Sequence, residues 1–148
     1  MERGDIIAVG CDHAGFALKQ ELIRHLEERG FRTEDYGTYS EESCDYPDYA
    51  RKVAHAVVRG EAKMGLLICG TGIGMSLAAN KVKGIRAAVL SDEFSAKATR
   101  EHNDANILCL GARVVDTKKA VKLLDIFVDT PFSFGENHVR RISKLEES

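Results

Sequence analysis

The stretch Leu66-Leu67-Ile68-Cys69-Gly70-Thr71-Gly72-Ile73-Gly74 is the most informative part of the sequence for the fold. Its first four residues form an uninterrupted apolar run, which is typical of a strand buried on both faces of a sheet. The run passes directly into a glycine-rich turn, and a helical pattern follows to about Lys81. A buried strand, a glycine turn and a helix in this order predict one unit of a parallel α/β sheet.

Strand and helix patterns alternate along the rest of the chain. Apolar runs predict strands at residues 6–9, 31–36, 66–69, 87–90 and 107–110. Helical spacing covers residues 14–29, 47–59, the segment to about 81, a segment from 93, 118–129, and a tail helix from about 138. Each parallel crossover needs a helix-length connection, so this alternation predicts a doubly wound sheet. We therefore expect one domain over residues 1–148, a three-layer α/β/α sandwich with a five-stranded parallel, Rossmann-like sheet.

Composition and charge exclude several classes of protein. Hydrophobic residues make up 44% and charged residues 30% of the chain, and no apolar run approaches the roughly 18 residues of a membrane span. The N-terminal residues lack the apolar segment and cleavage site of a signal peptide. A net charge of -2 with both signs scattered is not the pattern of a protein that binds nucleic acid or an anionic membrane. The four cysteines are sparse and show no CxxC spacing, which favours reduced thiols. We expect a cytoplasmic protein.

The glycine turn after the third predicted strand is the first candidate site. Ligands of doubly wound sheets bind beyond the carboxyl ends of the strands, and glycines let main-chain N–H groups approach an anion at a helix N-terminus. A tight strand-to-helix turn without a ligand is the alternative. The spacing GxGxG matches neither the GxGxxG of dinucleotide-binding turns nor the P-loop that binds ATP. The turn therefore predicts neither a dinucleotide nor ATP as a ligand.

Cys69 immediately precedes this turn. A thiol near a helix N-terminus is more readily ionised and can act as a base or nucleophile. A buried structural cysteine is the alternative, since cysteine is among the most often buried residues. Cys11 and Cys109 end apolar runs in the same manner, and we interpret them as core residues.

Two further polar pairs end predicted elements. Asp12 and His13 follow the first strand, where they either line the mouth of a site or, in the case of Asp12, cap the first helix. His102 and Asn103 close the helix after the fourth strand, where the positive form of His102 suits the helix C-terminus. A zinc site built from Asp12, His13, Cys69 and His102 is the less favoured alternative, because the spacings are not the paired ones of structural zinc.

Arginines provide candidate phosphate ligands. Arg113 follows the last strand, and the tail contains Asn137-His138-Val139-Arg140-Arg141. Guanidinium groups bind phosphate in a bidentate manner, although such a run is also typical of a solvated surface. The sequence leaves both interpretations open.

Six segments, in order along nearly the whole chain, form a recognisable set: Gly10-Cys11-Asp12-His13-Ala14-Gly15, Asp45-Tyr46-Pro47, Ile68 to Gly74 with Ala78-Ala79-Asn80-Lys81, Gly84-Ile85-Arg86-Ala87, His102-Asn103-Asp104-Ala105-Asn106 and Gly111-Ala112-Arg113-Val114-Val115. This set resembles the type B ribose-5-phosphate isomerases, a family that also includes the subunits of galactose-6-phosphate isomerase. The resemblance implies interconversion of ribose 5-phosphate and ribulose 5-phosphate through an enediolate, in the non-oxidative branch of the pentose phosphate pathway. It also implies that neither metal nor organic cofactor is needed, and that two subunits of a homodimer share each site, with a tetramer as the higher alternative.

The resemblance also implies roles for single residues. Cys69 matches the base that abstracts the proton, Thr71 a hydroxyl beside it, and His102 the acid that helps to open the sugar ring. Substrate-binding positions are matched by Asp12, His13, Tyr46, Gly70, Thr71, Gly72, Ile73, Gly74, Asn103, Arg113, Asn137, His138 and Arg141.

The tail departs from the family pattern. The family usually has Gly-Gly-Arg-His with a further arginine, whereas this chain has Asn137 where the first arginine is usual, followed by His138 and Arg141. One of the cations that bind phosphate in the family is then missing. Three explanations stay open: Arg140 takes its place, phosphate binds more weakly, or the preferred sugar differs. Allose or galactose 6-phosphate is therefore an alternative substrate, and a non-catalytic sugar-phosphate-binding module and a zinc enzyme are the alternatives from other classes.

Overall fold

The computed structural model describes residues 1–147 and contains one sheet of five parallel strands. The strands are β1 (Ile6–Cys11), β2 (Arg32–Asp35), β3 (Met64–Cys69), β4 (Ala87–Val89) and β5 (Ile107–Gly111). A 3-10 turn (His13–Gly15) precedes the first of the helices, which are α1 (Phe16–Glu28), α2 (Tyr46–Val58), α3 (Ile73–Ala79), α4 (Glu93–Asn103), α5 (Thr117–Asp129) and α6 (Glu136–Leu145). Among these residues, none of the helices has the length and apolar character that a membrane span requires.

Helices cover both faces of the sheet, as the sequence predicted. Helices α1, α4 and α5 pack together on one face, where residues such as Leu22 and Phe127 are fully buried. Helices α2 and α3 pack on the opposite face through residues such as Val53 and Met75. The predicted α/β architecture with a five-stranded parallel sheet is confirmed.

Strand β3 lies at the centre of the sheet, between β1 and β5. Leu66 and Ile68 face the first layer of helices, whereas Leu67 and Cys69 face the second. Because both faces are covered, successive side chains are all buried, which explains the apolar run without alternation. Burial of each such aliphatic side chain contributes about 1.5–3 kcal/mol.

The strand order β2-β1-β3-β5-β4 creates a crevice beside the carboxyl ends of β1 and β3. From β1 the chain crosses outward to β2 through α1, and it returns to β3 through α2 on the opposite face. The connections that leave β1 and β3 therefore run apart, and the space between them is where doubly wound sheets bind ligands.

Several element boundaries differ from those expected. Strand β1 extends to Cys11, because Gly10 and Cys11 continue the pairing with β3. The first helix starts as a 3-10 turn rather than directly at residue 14, since the Asp12 carboxylate accepts hydrogen bonds from the first amides of that turn. The helix after β3 ends at Ala79, not near 81, and the tail helix α6 begins at Glu136, two residues before the expected start.

Candidate active site

Asp12 and His13 follow β1 directly and reach the crevice at the carboxyl edge of the sheet. The Asp12 carboxylate accepts hydrogen bonds from the amides of Ala14 at 2.9 Å and Gly15 at 3.2 Å, so the predicted cap is confirmed. Its own amide donates to the carbonyl oxygen of Ile68 at 3.1 Å. The two strand ends are thereby joined next to Cys69.

Cys69 is the last residue of β3, and only 5% of it is exposed. Its Sγ atom accepts a hydrogen bond from the main-chain N–H of Gly72 at 3.1 Å. Gly72 has a φ of 82°, which favours glycine, and a Cβ there would lie 3.0 Å from the carbonyl carbon of Leu110. The turn therefore needs glycine at this position, and it directs a main-chain donor at the sulphur.

The rest of the loop from Gly70 to Gly74 is held by close packing. The exposed Thr71 accepts a hydrogen bond from the amide of Ile73 at 3.2 Å through its Oγ1 atom. Gly111 passes so close that a Cβ there would lie 2.7 Å from the main chain of Thr71. A Cβ on Gly74 would meet the ring of Tyr46 at 2.7 Å, so this ring lies directly against the loop.

Arg113 brings a positive charge to the same place. It follows β5, and its amide donates to the carbonyl oxygen of Gly70 at 3.0 Å. A Cβ on Gly70 would lie 3.3 Å from Nη1 of the Arg113 guanidinium. We call Asp12, His13, Tyr46, Cys69, the loop 70–74 and Arg113 the carboxyl-edge group.

Cys44 is a contact that the sequence did not indicate. Its amide donates to Nδ1 of His13 at 3.3 Å, and its Sγ atom lies 3.9 Å from the same nitrogen. The one available signal was its place beside the Asp45-Tyr46-Pro47 segment. Cys44 belongs to the predicted polar loop, which wraps over the end of β1.

Lys19 is a second residue that the sequence did not single out. Its side chain is fully buried, and Nζ lies 2.6 Å from Oδ1 of Asp35 and donates to the carbonyl oxygen of Thr38 at 2.5 Å. Its spacing of three residues before Leu22 places it on the inward face of α1. The ion pair ties α1 to the end of β2.

His102 and Asn103 lie at the opposite edge of the sheet. Helix α4 connects the carboxyl end of β4 to the amino end of β5, and these residues form its last turn. The amino edge is marked by Asn106, whose carbonyl accepts the amide of Gly65 at 2.9 Å. Cys69 pairs with Gly111, at the carboxyl end of β5, whereas His102 lies beyond the amino end of that strand. The length of β5, about 13 Å, therefore separates Cys69 from His102 along the strand direction. Within one chain, the structure does not bring Cys69 and His102 together.

The tail residues join His102 at the amino edge. The His138 ring stacks on the His102 ring, with centroids 4.4 Å apart and planes 16° apart. Loss of hydration and the nearby charges of His102 and Arg141 lower the pKa of His138. Asn137 and Arg141, like Arg140, are exposed. We call His102, Asn103, Asn137, His138 and Arg141 the amino-edge group.

Arg86 holds the other end of α6 on the same edge. Its guanidinium lies 2.7 Å from the carboxylate of Glu146 and donates from Nε to the carbonyl oxygen of Asn103 at 3.1 Å. Together with the ring stack, this ion pair fixes α6 against the end of α4. The tail is thus an ordered part of the amino edge.

The interpretation of Cys11 and Cys109 as core residues is confirmed. Both are fully buried, and burial raises the pKa of Cys11 to about 11 and raises the pKa of Cys109 further. These thiols remain protonated near neutral pH. Within residues 1–147, no three His, Cys, Asp or Glu side chains are grouped as metal ligands.

Comparisons with known proteins identify the family of the chain. The family model described as Ribose/Galactose Isomerase matches residues 7–145. Ribose-5-phosphate isomerase B of Escherichia coli strain K12 is 49% identical over 139 residues, which cover 94% of this chain and 93% of that protein. The structure of Clostridium thermocellum ribose-5-phosphate isomerase B superposes with a TM-score of 0.94 at 48% identity, over 96% of this chain and 95% of that one.

A third relative was solved with a sugar phosphate. The structure of Mycoplasma genitalium ribose-5-phosphate isomerase B with bound ribulose-5-phosphate superposes with a TM-score of 0.92 at 40% identity, over 98% of this chain and 96% of that one. The match to the family model and these identities extend over almost the full length of both partners. The chain therefore belongs to the ribose/galactose isomerase family, and with it to a family of isomerases.

Proposed function

We propose that the chain interconverts D-ribose 5-phosphate and D-ribulose 5-phosphate through an enediolate. The observation that supports this most directly is the Cys69 sulphur, which faces a main-chain N–H at 3.1 Å beside Arg113 and the Asp12–His13 pair. Relatives that are 40–49% identical are named ribose-5-phosphate isomerase B, and one of them was solved with ribulose-5-phosphate. The proposal includes a cytoplasmic location and the non-oxidative branch of the pentose phosphate pathway.

Cys69 acts as the base in the proposed reaction. In the open-chain aldose, its thiolate removes the proton on carbon 2, and the bond electrons form the carbon 1–carbon 2 double bond as the carbonyl oxygen becomes negative. The proton then returns from the Cys69 thiol to carbon 1, and the proton of the carbon 2 hydroxyl passes to the negative oxygen on carbon 1, which leaves a ketone at carbon 2 and a hydroxyl at carbon 1. Such a step needs a base within hydrogen-bond reach and N–H donors near the developing oxyanion. In this proposal the loop 70–74, whose Gly72 amide donates to the sulphur at 3.1 Å, supplies such donors, and Thr71 supplies a hydroxyl next to the base.

His102 opens the sugar ring in this proposal. The substrate is mostly cyclic in solution, so a group that exchanges protons near neutral pH is needed, and imidazole is the side chain with that property. The His102 of the same chain lies at the opposite edge of the sheet, about 13 Å along the strand direction. We therefore propose a homodimer in which the amino-edge group of one subunit completes the carboxyl-edge group of the other, with a tetramer of such dimers as the higher alternative.

Phosphate is held by side chains from both groups. Arg113 lies beside Gly70 in the carboxyl-edge group, and the amino-edge group of the second subunit supplies Arg141 as a cation and His138, whose pKa is lowered, as a neutral hydrogen-bond donor. Asn137 stands where the family usually has arginine, so one guanidinium is missing. Loss of one charged hydrogen-bonding partner weakens binding about tenfold or more. Asn137→Arg should lower KM for the sugar phosphate, whereas Lys144→Arg on the same helix should not.

A hexose 6-phosphate is the second candidate substrate. Asn137 also supports this alternative, because a longer sugar places its phosphate differently and needs fewer cations at the usual position. Allose and galactose 6-phosphate are the sugars to compare.

The first test is turnover by purified protein after chelator treatment. We expect ribose 5-phosphate to be converted to ribulose 5-phosphate, with a loss of at least 100-fold in Cys69→Ala, which removes the base. Cys109→Ala is the matched control, since this buried thiol lies outside the site. Conversion of allose 6-phosphate without conversion of ribose 5-phosphate would show that the substrate is a hexose phosphate. Binding without turnover of either sugar would support the binding-module alternative, and loss of activity on chelation would contradict the metal-free mechanism.

A further inference from the structure

One ring nitrogen of His13, Nδ1, lies 3.3 Å from the main-chain nitrogen of Cys44 in the loop that follows β2. We propose that the amide of Cys44 keeps the neutral imidazole of His13 in the form protonated on Nε2. His13 then presents an N–H donor, and never a lone pair, to an oxygen atom of the bound sugar phosphate. The identity of that ligand rests on the proposed function, whereas the tautomer does not.

The hydrogen bond from Cys44 determines which nitrogen is protonated. A main-chain N–H can only donate, so Nδ1, at 3.3 Å from the Cys44 nitrogen, must accept. A neutral imidazole has a single N–H, which is then on Nε2. The Cys44 thiol, at 3.9 Å, is a weak donor and a weak acceptor, so it does not select a tautomer by itself.

Both ends of the loop hold the Cys44 amide in place. At its start, the amide of Cys11 donates to the carbonyl of Gly37 at 2.7 Å, and the amide of Thr38 donates back to Cys11 at 2.8 Å. The buried Lys19 also donates to the Thr38 carbonyl. At its end, the Tyr46 ring packs against Gly74 of the glycine loop. Cys44 is therefore a positioning residue that acts through its main chain.

The inferred tautomer matters because sugar phosphates present mostly oxygen acceptors. Phosphate oxygens and the carbonyl oxygen accept hydrogen bonds, and Nε2 of His13 has no hydrogen-bond partner within residues 1–147. In the opposite tautomer, the Nε2 lone pair would face those oxygens and repel them. An imidazole free to change tautomer would spend part of its time in that form.

The direct test is nitrogen NMR of the ligand-free protein labelled with ¹⁵N-histidine, at pH 8, where an ordinary histidine is neutral. The set of imidazole nitrogen signals that disappears in His13→Gln belongs to His13, which distinguishes it from the other four of the five histidines. We expect Nδ1 at the shift of an unprotonated nitrogen and Nε2 at the shift of a protonated one, without averaging. An averaged pair of shifts, or protonation on Nδ1, would overturn the inference whether or not the protein is an isomerase.

Two variants of Cys44 distinguish the effect of its main-chain amide on the His13 tautomer from the effect of its thiol. Cys44→Ala keeps the N–H and removes the sulphur, whereas Cys44→Pro removes the N–H. We expect the wild-type tautomer in Cys44→Ala and averaged shifts in Cys44→Pro, with kcat/KM for ribose 5-phosphate about tenfold lower in the proline variant than in the alanine variant. Averaging in Cys44→Ala would assign the effect to the thiol and refute the role of the amide. If the proline variant does not fold, the wild-type and alanine spectra still decide.

Discussion

Mixing two inactive variants tests whether the site is shared between subunits. Cys69→Ala removes a residue of the carboxyl-edge group, and His102→Gln removes one of the amino-edge group. Proton transfer needs contacts of about 3 Å, whereas about 13 Å of β5 separates these positions within a chain. If the two groups meet across a dimer, a heterodimer of the variants has one site with both defects and one site with none.

The expected recovery follows from this arrangement. Random pairing at equal amounts makes half of the dimers mixed, each with one intact site of two, so about a quarter of the wild-type activity should return. Each variant alone should retain no more than about 1%. Mixing Cys69→Ala with Arg113→Ala is the matched control: both changes lie in the carboxyl-edge group, so every site stays defective and no recovery is expected.

The assay is ribulose 5-phosphate formation after the variants are unfolded and refolded together, with different tags to measure the mixed dimers. Mixed dimers without recovered activity would refute the shared site. Recovery in the Arg113→Ala control would contradict the assignment of Arg113 to the same site as Cys69 of its own chain.

Three further predictions concern the supports of the site. Gly111→Ala should lower the free energy of unfolding by about 2–3 kcal/mol in urea, because its Cβ would lie 2.7 Å from the Thr71 main chain, whereas Gly70→Ala meets only a flexible side chain and should cost less than about 1 kcal/mol. Lys19→Met should cost about 2 kcal/mol in the same assay, less than a fully buried pair, because its carboxylate partner is 28% exposed and can be hydrated. The lowered pKa of His138 means that protonation is less favourable in the folded state, so the contribution of His138 to the docking of α6 is fully present above the ordinary pKa of about 6.5 and decreases as the pH falls through the lowered pKa. Hydrogen exchange of the α6 amides, corrected for intrinsic rates, should therefore increase between pH 7.5 and pH 5, and equal protection at both values would contradict this expectation.

The sequence was sufficient to predict the elements and their local chemistry. The apolar run of β3 indicates a strand that is buried on both faces of the sheet. The spacing of leucines such as Leu22 and Leu26 indicates which face of α1 packs against the sheet. The cap by Asp12 and the hydrogen bond from the Gly72 amide to Cys69 are equally local, because the groups involved lie within three residues of one another along the chain. For the same reason the sequence placed Cys69 next to a main-chain donor.

The tertiary structure alone decided which of these residues meet. Strand order, and with it the crevice between β1 and β3, depends on pairing between segments distant in sequence, which no local pattern encodes. Burial of Lys19 depends on a carboxylate 16 residues away, and the contact of Cys44 with His13 spans 31 residues. The separation of His102 from Cys69 follows from the direction in which α4 returns along the sheet. Residue types and short spacings set the chemistry available, whereas packing of distant segments sets the distances at which it can occur.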